Sequence, residues 1–174
     1  MREASGLKTL YVSTSKMLGT TATWTQTYAS DRLIYSCDAG DQVSQLIVPV
    51  EVDLLNDDTV GSLYPADAQI EKIELEYNIA AEALDAAVTA EVQSQARAVD
   101  GVAPAVTSLA CTVAADGGVI ATTAIDDHII TITPDAALTL NGTNALNLEV
   151  NFDQATSTTV IVYGARIYYR TNLS

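Results

Sequence analysis

The residues of this chain that could do acid–base or metal chemistry are few and scattered. The single histidine, His128, follows Asp126 and Asp127, and a histidine beside carboxylates can bind a metal ion or act as a general base. A nucleophilic triad would also need a positioned nucleophile, and the sequence contains no G-x-S-x-G turn. We therefore expect His128 to be a polar residue at the start of a strand, and we expect no enzymatic activity.

Paired carboxylates are the second candidate for chemistry. Glu74 and Glu76 alternate along one face of a predicted strand, as a glycosidase pair could, but Lys72 shares that face and indicates that it is solvated. The acidic pairs at 57–58 and 126–127 offer the oxygen ligands that Ca²⁺ prefers, yet neither has the EF-hand spacing. The sequence thus predicts no metal site and no cofactor.

A cluster of basic and aromatic residues near the end of the chain is the strongest candidate for a binding surface. Arg166, Tyr168 and Arg170 alternate along the predicted last strand, which places them on one face. Strict alternation predicts that Val160 and Val162 share this face. Arginine and tyrosine are enriched in interface hot spots, so the face is either an interface anchor or an outward face of stacked neighbours.

Two further aromatic residues, Trp24 and Tyr28, lie in a Thr- and Ser-rich N-terminal region. They could stack on sugar rings or contact another subunit. The alternative is that the single tryptophan anchors the core, which is a common role for a large aromatic side chain.

The composition predicts one soluble domain with a real core. The chain has 174 residues, of which 48% are hydrophobic, and 22 acidic residues against 8 basic ones give a net charge of −14. Such a charge repels nucleic acid and anionic membranes, so we expect neither as a partner. No apolar run is long enough to span a membrane, and MREASGLKTL lacks a signal-peptide pattern, which predicts assembly in a cytoplasm.

The two cysteines, Cys37 and Cys111, are far apart and lack the CxxC spacing of a zinc site. The sequence leaves open whether they form one disulfide, within or between chains, or remain reduced.

Alternation of apolar and polar residues predicts an all-β chain. Residues 46–54, 70–79 and 145–153 each alternate with period two, which is typical of strands with one buried face. Residues 80–98 fit either a helix or a turn followed by a strand. In all, about eight short strands predict a single antiparallel β-sandwich or jelly roll over 31–174, preceded by 1–30 as an extended arm or first strand.

The strand series that starts with IEKIELEYNI, continues through DDHIITITP and ends with ALNLEVNFDQATSTTVIVYGARIYYR resembles the head decoration (cement) proteins of tailed bacteriophages. The resemblance covers roughly residues 70–174. It implies a jelly-roll fold, a homotrimer, and a position on the outside of the virion, bound to the lattice of the major capsid protein. It implies no catalysis.

Two other functions fit the same pattern. A small major capsid protein of the single jelly-roll type would build the shell itself. A carbohydrate-binding or adhesin β-sandwich would need exposed aromatic residues, for which Trp24, Tyr28 and Tyr64 are the candidates.

Overall fold

A computed structural model describes residues 7–29, 31–50, 68–96, 106–115, 122–140 and 144–171 of the chain. The described segments form strands, joined by turns and one 3₁₀ turn at Thr14–Lys16. The strands are β1 (Leu7–Val12), β2 (Leu18–Thr20), β3 (Trp24–Ala29), β4 (Arg32–Cys37), β5 (Gln42–Pro49), β6 (Ala68–Ala80), β7 (Thr89–Ala96), β8 (Val106–Ala115), β9 (Asp127–Pro134), β10 (Leu138–Leu140), β11 (Asn144–Gln154) and β12 (Thr159–Thr171).

The strands form two antiparallel sheets that share one strand. The first sheet has the order β8–β9–β6–β12–β4–β3, with β1 beside the second half of β12 and β10 beside the start of β6. The second has the order β2–β5–β11–β7–β8. Strand β8 joins them, because residues 106–110 pair with β7 and residues 111–115 pair with β9. The predicted all-β, jelly-roll-like β-sandwich is confirmed.

The core lies between the inner faces of the two sheets. Tyr77 and Phe152 meet edge to face at its centre, with ring centroids 5.2 Å apart, and the Tyr77 hydroxyl donates a 3.0 Å hydrogen bond to the Thr122 carbonyl. Aliphatic side chains from both sheets surround them without solvent exposure. These are Leu46, Val48, Val50, Ile73, Leu75, Ile79, Ile130, Ile132, Leu148 and Ile167.

The structure decides between two pairs of alternatives that the sequence leaves open, and it changes one strand count. Residues 80–98 contain no helix over their described part: turns lead into β7, whose residues are held between β11 and β8. For residues 1–30 the sequence allowed an extended arm or a first strand, and the described part, 7–29, forms strands: β1 and β3 pair within the first sheet and β2 pairs within the second. These short strands raise the number from about eight to twelve over the described residues.

A β-bulge in β12 overturns the predicted faces of the last strand. Val162 pairs with Tyr77 and Gly164 pairs with Glu76, so Tyr163 and Gly164 together oppose one residue of β6. The extra residue changes the phase of the alternation. Val160 and Val162 therefore lie fully buried in the core, on the opposite face from Arg166, and the prediction that they belong to an interface was wrong.

Some expectations fall outside the described residues. These concern the acidic pair at 57–58 and Tyr64. Within the described segments, no helix is long and apolar enough to cross a membrane.

Candidate interaction surface

The outer face of the first sheet carries a concentration of tyrosine and arginine side chains, which we call the Tyr–Arg face. Strands β1, β12, β6 and β4 supply it. It brings together four of the chain's eight basic residues and three glutamates, so it is locally near neutral on a chain of net charge −14. Its members are Tyr11, Arg32, Glu71, Lys72, Glu74, Glu76, Tyr163, Arg166, Tyr168 and Arg170.

Glu74 holds the middle of this face together. Its carboxylate accepts a 2.6 Å bond from Lys72 Nζ and a 2.7 Å bond from the Tyr168 hydroxyl, and Lys72 Nζ lies 4.5 Å from the centre of the Tyr168 ring. Partial burial alone would raise the pKa of Glu74, but the bonds from Lys72 and Tyr168 and the nearby Arg166 outweigh it and hold the pKa below its usual value. The hydrogen bond to Glu74 also raises the pKa of Tyr168.

A second cluster orders the region beside the bulge. The Arg32 guanidinium lies 3.6 Å from the centre of the Tyr163 ring and donates a 3.0 Å bond to Glu76. The Tyr11 hydroxyl donates to the Tyr163 carbonyl at 3.1 Å. A Cβ at Gly164 would lie 2.4 Å from that hydroxyl, so the close approach of Tyr11 requires glycine. The bulge thus fixes two tyrosine rings from distant parts of the chain.

Arg166 is an exposed cation of the Tyr–Arg face whose neighbours do not bind its guanidinium. It lies opposite Glu74 on β6 and opposite Tyr11 on β1. Glu74 is already engaged by Lys72 and Tyr168, and Arg166 forms no hydrogen bond or ion pair with any residue that the structure describes. Its donors are therefore free to bind an external carboxylate or other acceptor.

Arg170, at the end of the Tyr–Arg face, forms an ion pair with Glu71. Its Nε donates a 2.9 Å bond to Glu71, and both side chains are partly exposed. Such surface pairs contribute little stability, so the bond orients Arg170 rather than stabilising the fold. The structure thus brings Arg166, Tyr168 and Arg170 together on one outer face, as the sequence predicts.

Trp24 and Tyr28 lie elsewhere, on β3. The Trp24 ring packs inward, 5.1 Å from Tyr35 and 6.3 Å from Phe152, and its atoms occupy the space where a Cβ of Gly19 would lie. Trp24 therefore packs against the core, which is the second of the two roles that the sequence allowed. Tyr28 is 69% exposed, four residues further along the same strand.

The outer face of the second sheet carries a line of glutamine and glutamate side chains that hydrogen-bond to one another across the strands. We call it the amide–carboxylate row. Glu149 is 9% exposed and accepts 2.5 Å bonds from Gln45 and Gln93, which lie on strands to either side of it. Gln93 also donates to Glu91, which accepts a bond from Ser108 on β8. Donors and acceptors therefore alternate across most of the sheet.

The remaining sequence candidates have structural partners. His128 is buried, stacks on Tyr77 at 4.9 Å and places Nε2 2.8 Å from the Ala124 carbonyl. No group of three metal-ligating side chains occurs among the residues described. Cys37 and Cys111 are both free thiols, and burial raises the pKa of each, that of Cys111 to about 11.

Sequence reasoning missed Tyr11, Arg32 and Tyr163 as members of the face. Tyr11 and Arg32 reach it only because β1 and β4 both pair with β12, from more than 120 residues away. The one local signal was Gly164 inside an otherwise continuous strand pattern, since such a glycine often marks a bulge or a close approach of another group.

Comparison with known proteins gives little further guidance. No protein-family model matches the chain, and no curated protein matches it. Among solved structures, a chain described as "CBM4 structure and function" is 9% identical over 85% of this chain and 89% of its own, with a TM-score of 0.36. A second, described as "Solution structure, dynamics and binding studies of CtCBM11", is 11% identical over the full length of both chains, with a TM-score of 0.34. At these TM-scores neither similarity carries an argument about function.

Proposed function

We propose that this protein is a non-catalytic binding module that docks on a protein surface through its Tyr–Arg face. The observation that carries the proposal is Arg166: an exposed guanidinium, flanked across the strands by Tyr11 and Glu74, with its donors unoccupied by described residues. Arginine and tyrosine dominate interface hot spots because they combine a large contact area with directional hydrogen bonds.

The rest of the face supports this role through preorganisation. Arg32, Lys72 and Tyr168 are already held by Glu76 and Glu74, so little side-chain freedom is lost when a partner docks. The core beneath β6 and β12 is fully buried, which keeps the face rigid. A partner that offers a carboxylate to Arg166 and an apolar or planar group to the tyrosines would be complementary.

The specific role we propose is that of a capsid decoration protein on the outside of a bacteriophage head, with the major capsid protein as the partner. The sequence resemblance of residues 70–174 is what supports this choice. A repeating lattice suits such a module, because each copy adds one modest interface that is repeated by the symmetry of the shell.

The test is binding to capsids that lack the protein, measured by co-sedimentation at increasing protein concentration. Arg166→Ala should weaken binding about thirtyfold, the loss typical of a hot spot. The matched control is Lys16→Ala, which removes an exposed positive charge on the 3₁₀ turn and should leave binding unchanged. Equal binding by both variants, or no binding of the natural sequence, would reject the proposal. Assembly of the protein into closed shells on its own would instead favour a shell-forming capsid protein.

The amide–carboxylate row favours a second candidate, a carbohydrate-binding β-sandwich. Amides and carboxylates present donors and acceptors together, as sugar hydroxyls do, and Glu91 and Gln93 of this row are partly exposed. Oligosaccharide binding measured by calorimetry separates the candidates. Loss of glycan binding in Gln93→Ala but not in Arg166→Ala would support this alternative, and the reverse result on capsids would support docking through the Tyr–Arg face.

A further inference from the structure

Strand β3 ends the first sheet with an edge that carries no protection against pairing. It closes the strand order, and no described strand lies on its second side. Its pairing with β4 runs without a bulge from Trp24 to Ala29. The sequence WTQTYA contains no proline and no charge, although the chain has 30 charged residues. Proline, charge and bulges are the usual devices that prevent an edge from pairing.

The other edge strands of the sandwich have features that prevent pairing. Strand β8 is shared by both sheets and so closes one side, β2 and β10 are only three residues long, and β5, which β2 covers only at residues 45–47, ends in Pro49. Strand β1, which is as long as β3, carries Lys8. Among the longer strands that the structure describes, β3 is therefore the edge strand that has no charge, proline or bulge.

The residues of β3 form a palindrome of types: aromatic, threonine, glutamine, threonine, aromatic. In an antiparallel pair centred on Gln26, Trp24 would oppose Tyr28 of a second copy and Thr25 would oppose Thr27. In a two-fold interface each residue meets its counterpart across the axis, and this palindrome places residues of the same type opposite each other. Threonine pairs are also favourable cross-strand neighbours.

We propose that two copies of this chain pair through β3 in antiparallel register, with Gln26 opposite Gln26 on the two-fold axis. Net charge favours this site, because two chains of charge −14 repel each other and β3 offers a neutral contact. Pairing also covers Tyr28, which is 69% exposed in the single chain.

The dimer has a geometrical consequence that does not depend on what the Tyr–Arg face binds. The two-fold axis of an antiparallel strand pair is normal to the sheet, so the two first sheets become one continuous sheet and both Tyr–Arg faces point to the same side. A partner lattice would then be bound at two points, which multiplies apparent affinity without new contacts.

The test is charge complementation at Gln26, followed by sedimentation equilibrium. The natural sequence should be a dimer, in place of the homotrimer that the sequence resemblance implies. Gln26→Lys and Gln26→Glu should each weaken self-association by about tenfold or more, because like charges meet on the axis. An equimolar mixture of the two variants should restore the dimer. Gln95→Lys and Gln95→Glu, at an exposed glutamine of β7, are matched controls and should dimerise like the natural sequence.

Complementation keeps the test independent of any folding defect, since two misfolded variants would not rescue each other. A monomer or a trimer of the natural sequence would overturn the proposal. So would a dimer that both Gln26 variants leave intact, or a mixture that stays monomeric. Because sedimentation needs no capsid, failure here and failure of the docking proposal are separate results.

Discussion

Replacing Gly164 by alanine is expected to destabilise the fold by forcing Tyr11 off the Tyr–Arg face. The new Cβ would lie 2.4 Å from the Tyr11 hydroxyl and 2.8 Å from two ring carbons. The hydroxyl is at the end of a side chain that can rotate, so the ring moves away and its bond to the Tyr163 carbonyl is lost. Because the ring can move away, the contact costs mainly the lost hydrogen bond, about 0.5–1.5 kcal/mol.

A double-mutant cycle isolates this contact. Gly164 has φ +158°, and any backbone cost of alanine there is the same with or without the Tyr11 ring, so it cancels in the cycle. In a Tyr11→Ala background the Cβ no longer meets the ring, and Gly164→Ala should cost less by about 0.5–1.5 kcal/mol. Val106→Ala, which removes an exposed side chain at the start of β8, is the control background and should leave the cost of Gly164→Ala unchanged.

The assay is urea unfolding followed by the fluorescence of Trp24, the single tryptophan, which packs against the core. Each kcal/mol should also lower the thermal midpoint by about 2–4 °C in a domain of this size. If Gly164→Ala costs the same in the natural and Tyr11→Ala backgrounds, then Tyr11 does not lie over Gly164, and the ordering of the face by the bulge is wrong.

Three substitutions and one chemical treatment test the remaining structural conclusions. Val162→Ala should cost about 1.5–3 kcal/mol in urea unfolding because Val162 is fully buried, whereas Arg166→Ala should leave stability within about 0.5 kcal/mol. Glu74→Gln should remove a pH-dependent part of stability: the folded-state pKa lies below 4.5, so the ionised carboxylate stabilises the fold above that pH and the contribution is lost as pH falls through the folded pKa. The free energy of unfolding should therefore fall less steeply with decreasing pH in the variant than in the natural sequence over that acid range. Equal slopes of stability against pH would contradict this. Alkylation of Cys111 in the folded protein should be slow at neutral pH and accelerate towards its pKa of about 11, while fast reaction near pH 8 would show that the thiol is not desolvated as described.

Much of the fold could be predicted because a β-strand pattern is local. In β6, Ile73, Leu75, Tyr77 and Ile79 alternate with polar residues, and the structure buries all four and turns Lys72 and Glu74 outward. A period of two is enough to assign both faces when one side is apolar and the other charged. The same reasoning assigned Arg166, Tyr168 and Arg170 to one outer face.

The face of Val160 and Val162 could not be predicted in this way. Residues 160–163 are apolar on both sides, so the alternation there has no phase of its own. The phase is set by the bulge, which depends on how β12 pairs with β6. For a similar reason 80–98 remained ambiguous, because its alanines favour a helix and only pairing with β11 and β8 selects a strand.

The sequence by itself determined an all-β sandwich, an acidic surface and a cluster of arginine and tyrosine near the end of the chain. Only the tertiary structure decided that Tyr11 and Arg32 join this cluster and that two valines leave it. The physical reason is that strand pairing is non-local: which residues meet across a sheet depends on register and bulges, and these are fixed by partners far away in the chain.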